Sequence, residues 1–112
     1  MTDFHAELDA EILNDGLALA MEFGKDWLQP IQSRLAKRHP QLTAAELDAY
    51  DRACGVAMRF GHERVPAVWP GCAGSEREAF RRFRDDVLAR HPWVSADNLS
   101  RLFSQGCYYA LK

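Results

Sequence analysis

Arg38-His39-Pro40-Gln41-Leu42-Thr43-Ala44 returns without a gap as Arg90-His91-Pro92-Trp93-Val94-Ser95-Ala96, 52 residues further on. Leu47 and Leu99 extend the match. Each copy reads as a helix end, a proline turn, one apolar residue to bury, and a fresh N-cap. Cations suit the negative end of a helix, and a proline disfavours helix at the residue before it. Thr43 with Glu46 three residues on is a capping box, in which hydroxyl and carboxylate each satisfy an orphan amide. Two such copies predict two similar αα-hairpins. A solenoid needs at least three repeats, so none is expected.

The helices follow by working outward. Leu47, Tyr50, Cys54, Ala57 and Met58 continue at helical spacing, with Gly61 as the expected stop. Upstream, Trp27, Leu28, Ile31 and Leu35 predict a helix over 26–38, with Pro30 confined to its first turn or kinking it. Before that, Phe4, Leu8, Ile12, Leu13, Leu17 and Met21 predict an acidic helix over 3–23. Thr2 or Asp3 would cap it, Gly16 would weaken it, and Gly24 would end it. Residues 62–74, with Pro66, Pro70, Gly71 and Gly74, read as a loop whose Val65, Val68 and Trp69 pack inward. Ser75 and Glu78 form a second capping box ahead of Phe80, Phe83, Val87 and Leu88. Ser95 caps a fifth helix carrying Leu99, Leu102, Phe103, Gly106 and Tyr109. No period-two alternation competes. The expected fold is all-α: about five helices in one domain over 1–112, an acidic first helix followed by two hairpins.

Composition narrows the class. At 47% hydrophobic and 27% charged, the chain matches soluble globular proteins, not disordered ones. No apolar run approaches the ~18 residues of a membrane span, so no membrane partner is expected. Three cysteines with no CxxC spacing are not a disulfide framework. The acidic start MTDFHAELDAEI lacks the basic and apolar regions of a signal peptide. Both features predict a cytoplasmic protein with free thiols.

Charge gives the sharpest functional cue. Residues 1–33 hold seven acids against the single base Lys25, a net of −6, which leaves +4 for the rest. Glu7, Glu11, Asp15 and Glu22 step by four, four and seven, so they share one ridge of a helix whose apolar stripe must face inward. Such a ridge suits a basic protein partner. Arg77, Arg81 and Arg84, on one face of the fourth helix, could instead neutralise it from within. Trp93, Tyr108 and Tyr109 are further candidates for a contact surface, because tyrosine and tryptophan are enriched at interface hot spots. Tyr108 and Tyr109 lie about 100° apart on a helix, so at least one should face outward.

The other chemistries fit less well. No two histidines or cysteines stand within four positions of each other, so the spacing of a structural zinc site is missing and no metal or other cofactor is expected. A distant set of Cys54, His62, Cys72 and Cys107 is the alternative metal or thiol site. His5-Ala6-Glu7 is half of a zinc-deaminase signature without its Pro-Cys-x-x-Cys partner. Cys72 is the one plausible nucleophile, in a glycine-flanked loop before a helix, with His62 as possible base. No glycine-rich phosphate loop is present. Glu76, Glu78, Asp85 and Asp86 interleave with the arginines of the fourth helix, which weakens the field that nucleic acid requires. The leading expectation is therefore a non-catalytic protein-binding module, of the inhibitor, immunity or adaptor kind. A small-ligand pocket between hairpins is the remaining alternative.

Overall fold

A computed structural model describes residues 8–22, 30–70 and 74–110. Among these the protein is all-α: α1 (Ala10–Ala20), α2 (Gln32–Arg38), α3 (Ala44–Val68), α4 (Glu76–Arg90) and α5 (Ala96–Ala110), with no strand. Contacts divide the chain into two compact units, Met1–Val56 and Ala57–Lys112. The boundary falls inside α3, whose first half belongs to unit 1 and second half to unit 2.

In unit 1 the first described helix starts at Ala10, and residues 3–7 of the expected 3–23 helix lie outside the described residues. Asp9 is the N-cap of α1, accepting from the amides of Glu11 at 2.7 Å and Ile12 at 3.2 Å. Its own amide donates to the Tyr50 hydroxyl at 2.9 Å, which ties the cap to α3. The expected caps Thr2 and Asp3, and the stop Gly24, lie outside the described residues. Gly16 does not break the helix. It is buried where a Cβ would stand 2.8 Å from Cys54 Sγ and 3.1 Å from Ile31 Cδ1, so glycine there permits a close approach. α2 starts at Gln32, after Ile31 gives its amide to Asp51 Oδ1 at 3.2 Å; Trp27 and Leu28 of the expected 26–38 helix lie outside the described residues. Leu13, Leu17, Leu19, Met21, Ile31, Leu35, Ala49, Tyr50 and Cys54 supply the buried apolar side chains.

Unit 2 corrects the expectation of a loop over 62–74. The helix runs through Gly61 and Pro66 to Val68, and the Trp69 amide still bonds the Val65 carbonyl at 2.8 Å. Gly61 is no stop: its missing Cβ makes room for Leu102, whose methyl carbons would lie 3.2 Å away. Val65 is fully buried, which holds the helix in place despite the hydrogen bond that Pro66 cannot donate. The left-handed glycine comes later, at Gly74 with φ +91°, ahead of the Ser75 cap of α4. Phe83, Val87, Leu99, Leu102 and Phe103 complete the buried set. Phe80, Phe83 and Phe103 meet in a triangle of rings with centroids 5.2 to 6.2 Å apart.

The sequence echo is an echo of structure. His39 ends α2 at φ −132°, ψ 71°, and His91 ends α4 at φ −133°, ψ 72°. Each histidine amide bonds the carbonyl four residues back, Leu35 at 2.9 Å and Val87 at 2.7 Å. Each histidine carbonyl accepts from the apolar residue of the turn, half-buried Leu42 or buried Val94, at 3.1 Å. Thr43 Oγ1 then accepts from Glu46 N at 3.1 Å, and Ser95 Oγ from Asn98 N at 3.2 Å. The equivalence reaches beyond the two hairpins. Position 13 of α1 and position 54 of α3 meet in unit 1, where Cys54 Sγ donates to the Leu13 carbonyl at 3.3 Å. Their counterparts meet in unit 2, where Val65 packs on Gly106. Each unit is thus a three-helix motif, and α3 serves as the last helix of one and the first of the other.

Candidate functional site

On the acidic side, Glu11 is exposed on α1, and neither of the two described acids that follow it on the ridge is free. Asp15 Oδ2 lies 2.8 Å from His39 Nε2, and Glu22 Oε1 takes Arg34 Nη1 at 3.1 Å. Arg34 also reaches the Leu19 carbonyl at 2.9 Å, so it clamps the end of α1. Both partners come from within unit 1, Arg34 on α2 and His39 at its C-terminal cap. Glu7 lies outside the described residues. A different acidic set has no ion pair among the described residues: Asp9, Glu11 and Asp48 are exposed, and Glu46 and Asp51 half-buried. Four of these carboxylates are used as hydrogen-bond acceptors: Asp9 and Glu46 as caps, Asp48 toward Gln32, Asp51 toward Ile31. Over its whole sequence unit 1 carries ten acids against five bases, and unit 2 six against nine.

The aromatic candidates lie in unit 2. Tyr108 is 51% exposed, as the 100° argument requires of one member of the pair. Tyr109 is half-buried, edge-on to His62 at 4.9 Å. Trp93 is half-buried beside His91 at 6.2 Å.

His91 differs from its counterpart. Where His39 has Asp15, the position equivalent to Asp15 in unit 2 is Ala67. His91 Nε2 is buried with no hydrogen-bond partner among the described residues, its ring packed against Phe60 at 5.8 Å. Arg90 covers the other side of this group, with its guanidinium 4.9 Å from the Phe60 ring centre. Burial, and secondly the Arg90 charge, hold the His91 pKa below its ordinary value. His62 is also pushed down by burial, against the opposing pull of its bond to Gln105 Oε1 at 3.1 Å.

Of the thiol and metal alternative, Cys54, His62 and Cys107 fall among the described residues. Cys54 is fully buried, and burial, with Asp51 adding to it, pushes its thiol up to about 12. A thiol so held is not a nucleophile at neutral pH. Cys54 and Cys107 are free. Cys72 lies outside the described residues. Among the described residues no three histidine, cysteine or acidic side chains converge to hold a metal ion.

An open groove among the described residues was not singled out by periodicity. Between the start of α4 and the middle of α5 lies a groove of about 360 Å³, lined by Glu76, Arg77, Phe80, Ser100, Phe103 and Ser104. Further along α4 the arginines are engaged. Arg81 and Arg82 both reach Glu78, and Arg84 reaches Asp85. Among the described residues Arg77 has no such carboxylate. Arg77 shares a helix face with Arg81 and Arg84 by spacing but not their carboxylate partners among the described residues. The i,i+4 spacing of Ser100 and Ser104 was a legible sign that both hydroxyls share a face of α5.

No protein-family model, curated protein or solved structure matches this chain. Among the described residues no helix is long and apolar enough to cross a membrane.

Proposed function

We propose that this chain is a small non-catalytic protein-binding module that presents the acidic side of unit 1 to a basic protein, in the manner of an inhibitor, immunity protein or adaptor. The observation that supports the reading is the uncompensated charge around Asp9, Glu11 and Asp48. All three carboxylates are exposed and without an ion pair among the described residues; Asp9 is held as the cap of α1 and Asp48 by Gln32, with Glu11 beside the cap in the first turn of α1. Carboxylates held in place before encounter raise association rates with a cationic surface, and they do so in a salt-dependent way. Trp93, Tyr108 and Tyr109 are the aromatic part of the same proposal, as anchors that a partner could bury.

The test is affinity capture from the native cell with the wild-type chain and with a Glu7→Lys/Glu11→Lys chain in parallel. The reading expects a basic protein retained by the first and lost by the second, released by raised salt, with both chains melting alike. An identical set of retained proteins for the two chains overturns it. A lowered melting point with unchanged capture assigns the acids to the internal electrostatics of unit 1 instead.

A further inference from the structure

The α4–α5 groove collects hydrogen-bonding capacity that the fold does not use. Arg77 has no ion pair among the described residues, although Arg81, Arg82 and Arg84 further along α4 each have one. Ser100 and Ser104 are exposed, and both line the groove, one helical turn apart. Beneath them lie Phe80 and Phe103, edge-to-face at 5.3 Å, with Trp69 stacked behind Phe103 at 5.7 Å and 16°. Glu76 stands on the rim beside Arg77. The groove therefore offers a guanidinium, a carboxylate and two hydroxyls over an aromatic floor.

The duplication supplies a control inside the same chain. In unit 1 the positions equivalent to Ser100, Phe103 and Ser104 are Asp48, Asp51 and Arg52. Two of these are tied into the scaffold, Asp51 by the Ile31 amide and Asp48 by Gln32. The same turn and the same hairpin therefore form without the groove's residues. The serines and the phenyl floor are not demanded by the motif.

The geometry points to a binding site for a small zwitterion with an aromatic body, the chemistry of a free aromatic amino acid. Guanidinium and carboxylate groups pair through two parallel hydrogen bonds, which places the ligand carboxylate on Arg77 with the serine hydroxyls donating to it. Glu76 then receives the ammonium. The same Glu76 repels a dianion, so a phosphate ester is disfavoured. The ring of the ligand lies on Phe80 and Phe103, where aromatic pairs gain both from burial and from offset or edge-on stacking. A volume of about 360 Å³ is at the small end of ligand pockets and suits a single amino acid, not a long peptide.

Trp69 makes the test direct, because it stacks on the floor of the groove. In a Trp27→Phe/Trp93→Phe chain it is the sole tryptophan. Titration with L-phenylalanine is expected to change its emission saturably, with half-saturation at or below about 1 mM, the weak end of specific affinities. Arg77→Ala is expected to weaken binding at least tenfold, and Ser100→Ala/Ser104→Ala several-fold. Phenethylamine, without the carboxylate, and 3-phenylpropionate, without the ammonium, should each bind several-fold more weakly than L-phenylalanine. Should the double tryptophan replacement unfold the chain, amide shifts of residues 76–80 and 100–104 in the wild-type protein give the same readout. Absence of a saturable response in either measurement overturns the proposal. So does an Arg77→Ala chain of unchanged affinity, or equal binding of 3-phenylpropionate, which would make the groove a simple anion site.

Discussion

His39 and His91 occupy one conformation in two environments. Both end a helix at the same dihedral angles and both anchor the same turn, yet one ring nitrogen faces the Asp15 carboxylate at 2.8 Å and the other is buried without a partner. The backbone of the motif thus tolerates opposite electrostatic settings. What the turn needs is the histidine-proline step and the buried residue after it. What the ring touches is free to vary. Similar divergence separates the two helix crossings. In unit 1 the small residue is Gly16, on the first helix, set against Cys54. In unit 2 it is Gly106, on the last helix, set against Val65. Each crossing is made close by one glycine, supplied from opposite sides.

The largest expected effect comes from positions 31 and 83, which are equivalent and buried to 1% and 0% exposure. Phe83→Ala should cost about 3–5 kcal/mol and Ile31→Ala about 2–5 kcal/mol, the usual ranges for emptying such sites. Phe83 should be the worse, because it also removes one corner of the Phe80–Phe83–Phe103 triangle. Denaturant melts check this, and a smaller loss at 83 than at 31 would break the view that unit 2 leans on its aromatic cluster.

The glycine crossings come next. Gly106→Ala would put a methyl group 3.1 Å from Val65 Cβ, nearer still to Val65 Cγ2, and 3.6 Å from the His62 backbone. Overpacking of that kind costs about 1–3 kcal/mol. Gly16→Ala should cost less, since the atom it meets at 2.8 Å is a thiol sulfur that can rotate aside. Melts of the two variants measure the order directly. If Gly16→Ala is the more damaging, the hydrogen bond from Cys54 to Leu13 must be what fixes the sulfur. After these stand the caps. Thr43→Ala and Ser95→Ala, at equivalent positions, should each lose about 0.5–2 kcal/mol. Thr43 is the one with a complete reciprocal box, Glu46 Oε1 returning to its amide at 2.8 Å. Unchanged midpoints would mean that the turn and not the cap starts the helix.

The residues that carried local information were legible and those that depend on pairing across space were not. Thr43, Ser75 and Ser95 declare helix starts through contacts three residues away, and all three act as caps. Gly61 and Pro66 look like stops by the same local logic. They fail as stops because Leu102 and Gly106, some forty residues on, need the one small and permit the other's helix to approach. The acidic ridge shows the same divide. Its spacing was visible, but the partners of Asp15 and Glu22 sit on α2, 24 and 12 residues away, where helical periodicity has no reach. The groove of unit 2 was invisible for that reason: Arg77 and Ser100 become neighbours only once α4 folds back on α5.

The smallest expected effect is also the one aimed most directly at the comparison. Ala67→Asp places a carboxylate in unit 2 where Asp15 stands in unit 1. In the native chain His91 is held below its ordinary value of 6.5 by burial and by Arg90. The unfolded chain therefore takes up the proton first as pH falls. The stability that the neutral ring contributes is complete above about 6.5 and is lost as pH drops through the window beneath it. His62, lowered in the same direction, adds to that loss, so acid should weaken unit 2. An aspartate beside His91 favours the charged ring and moves its pKa upward. The acid loss then shrinks, and if the pKa passes 6.5 its sign reverses, with the added stability present at low pH and lost as pH rises through the new value. The gain is under about 1 kcal/mol, because position 67 is exposed. Proton NMR titration of the His91 ring reads it without reliance on the melt. An upward-shifted midpoint is the expected result. An unmoved one would show that residue 67 is not the counterpart of residue 15, and the equivalence between α1 and the second half of α3 would fall with it.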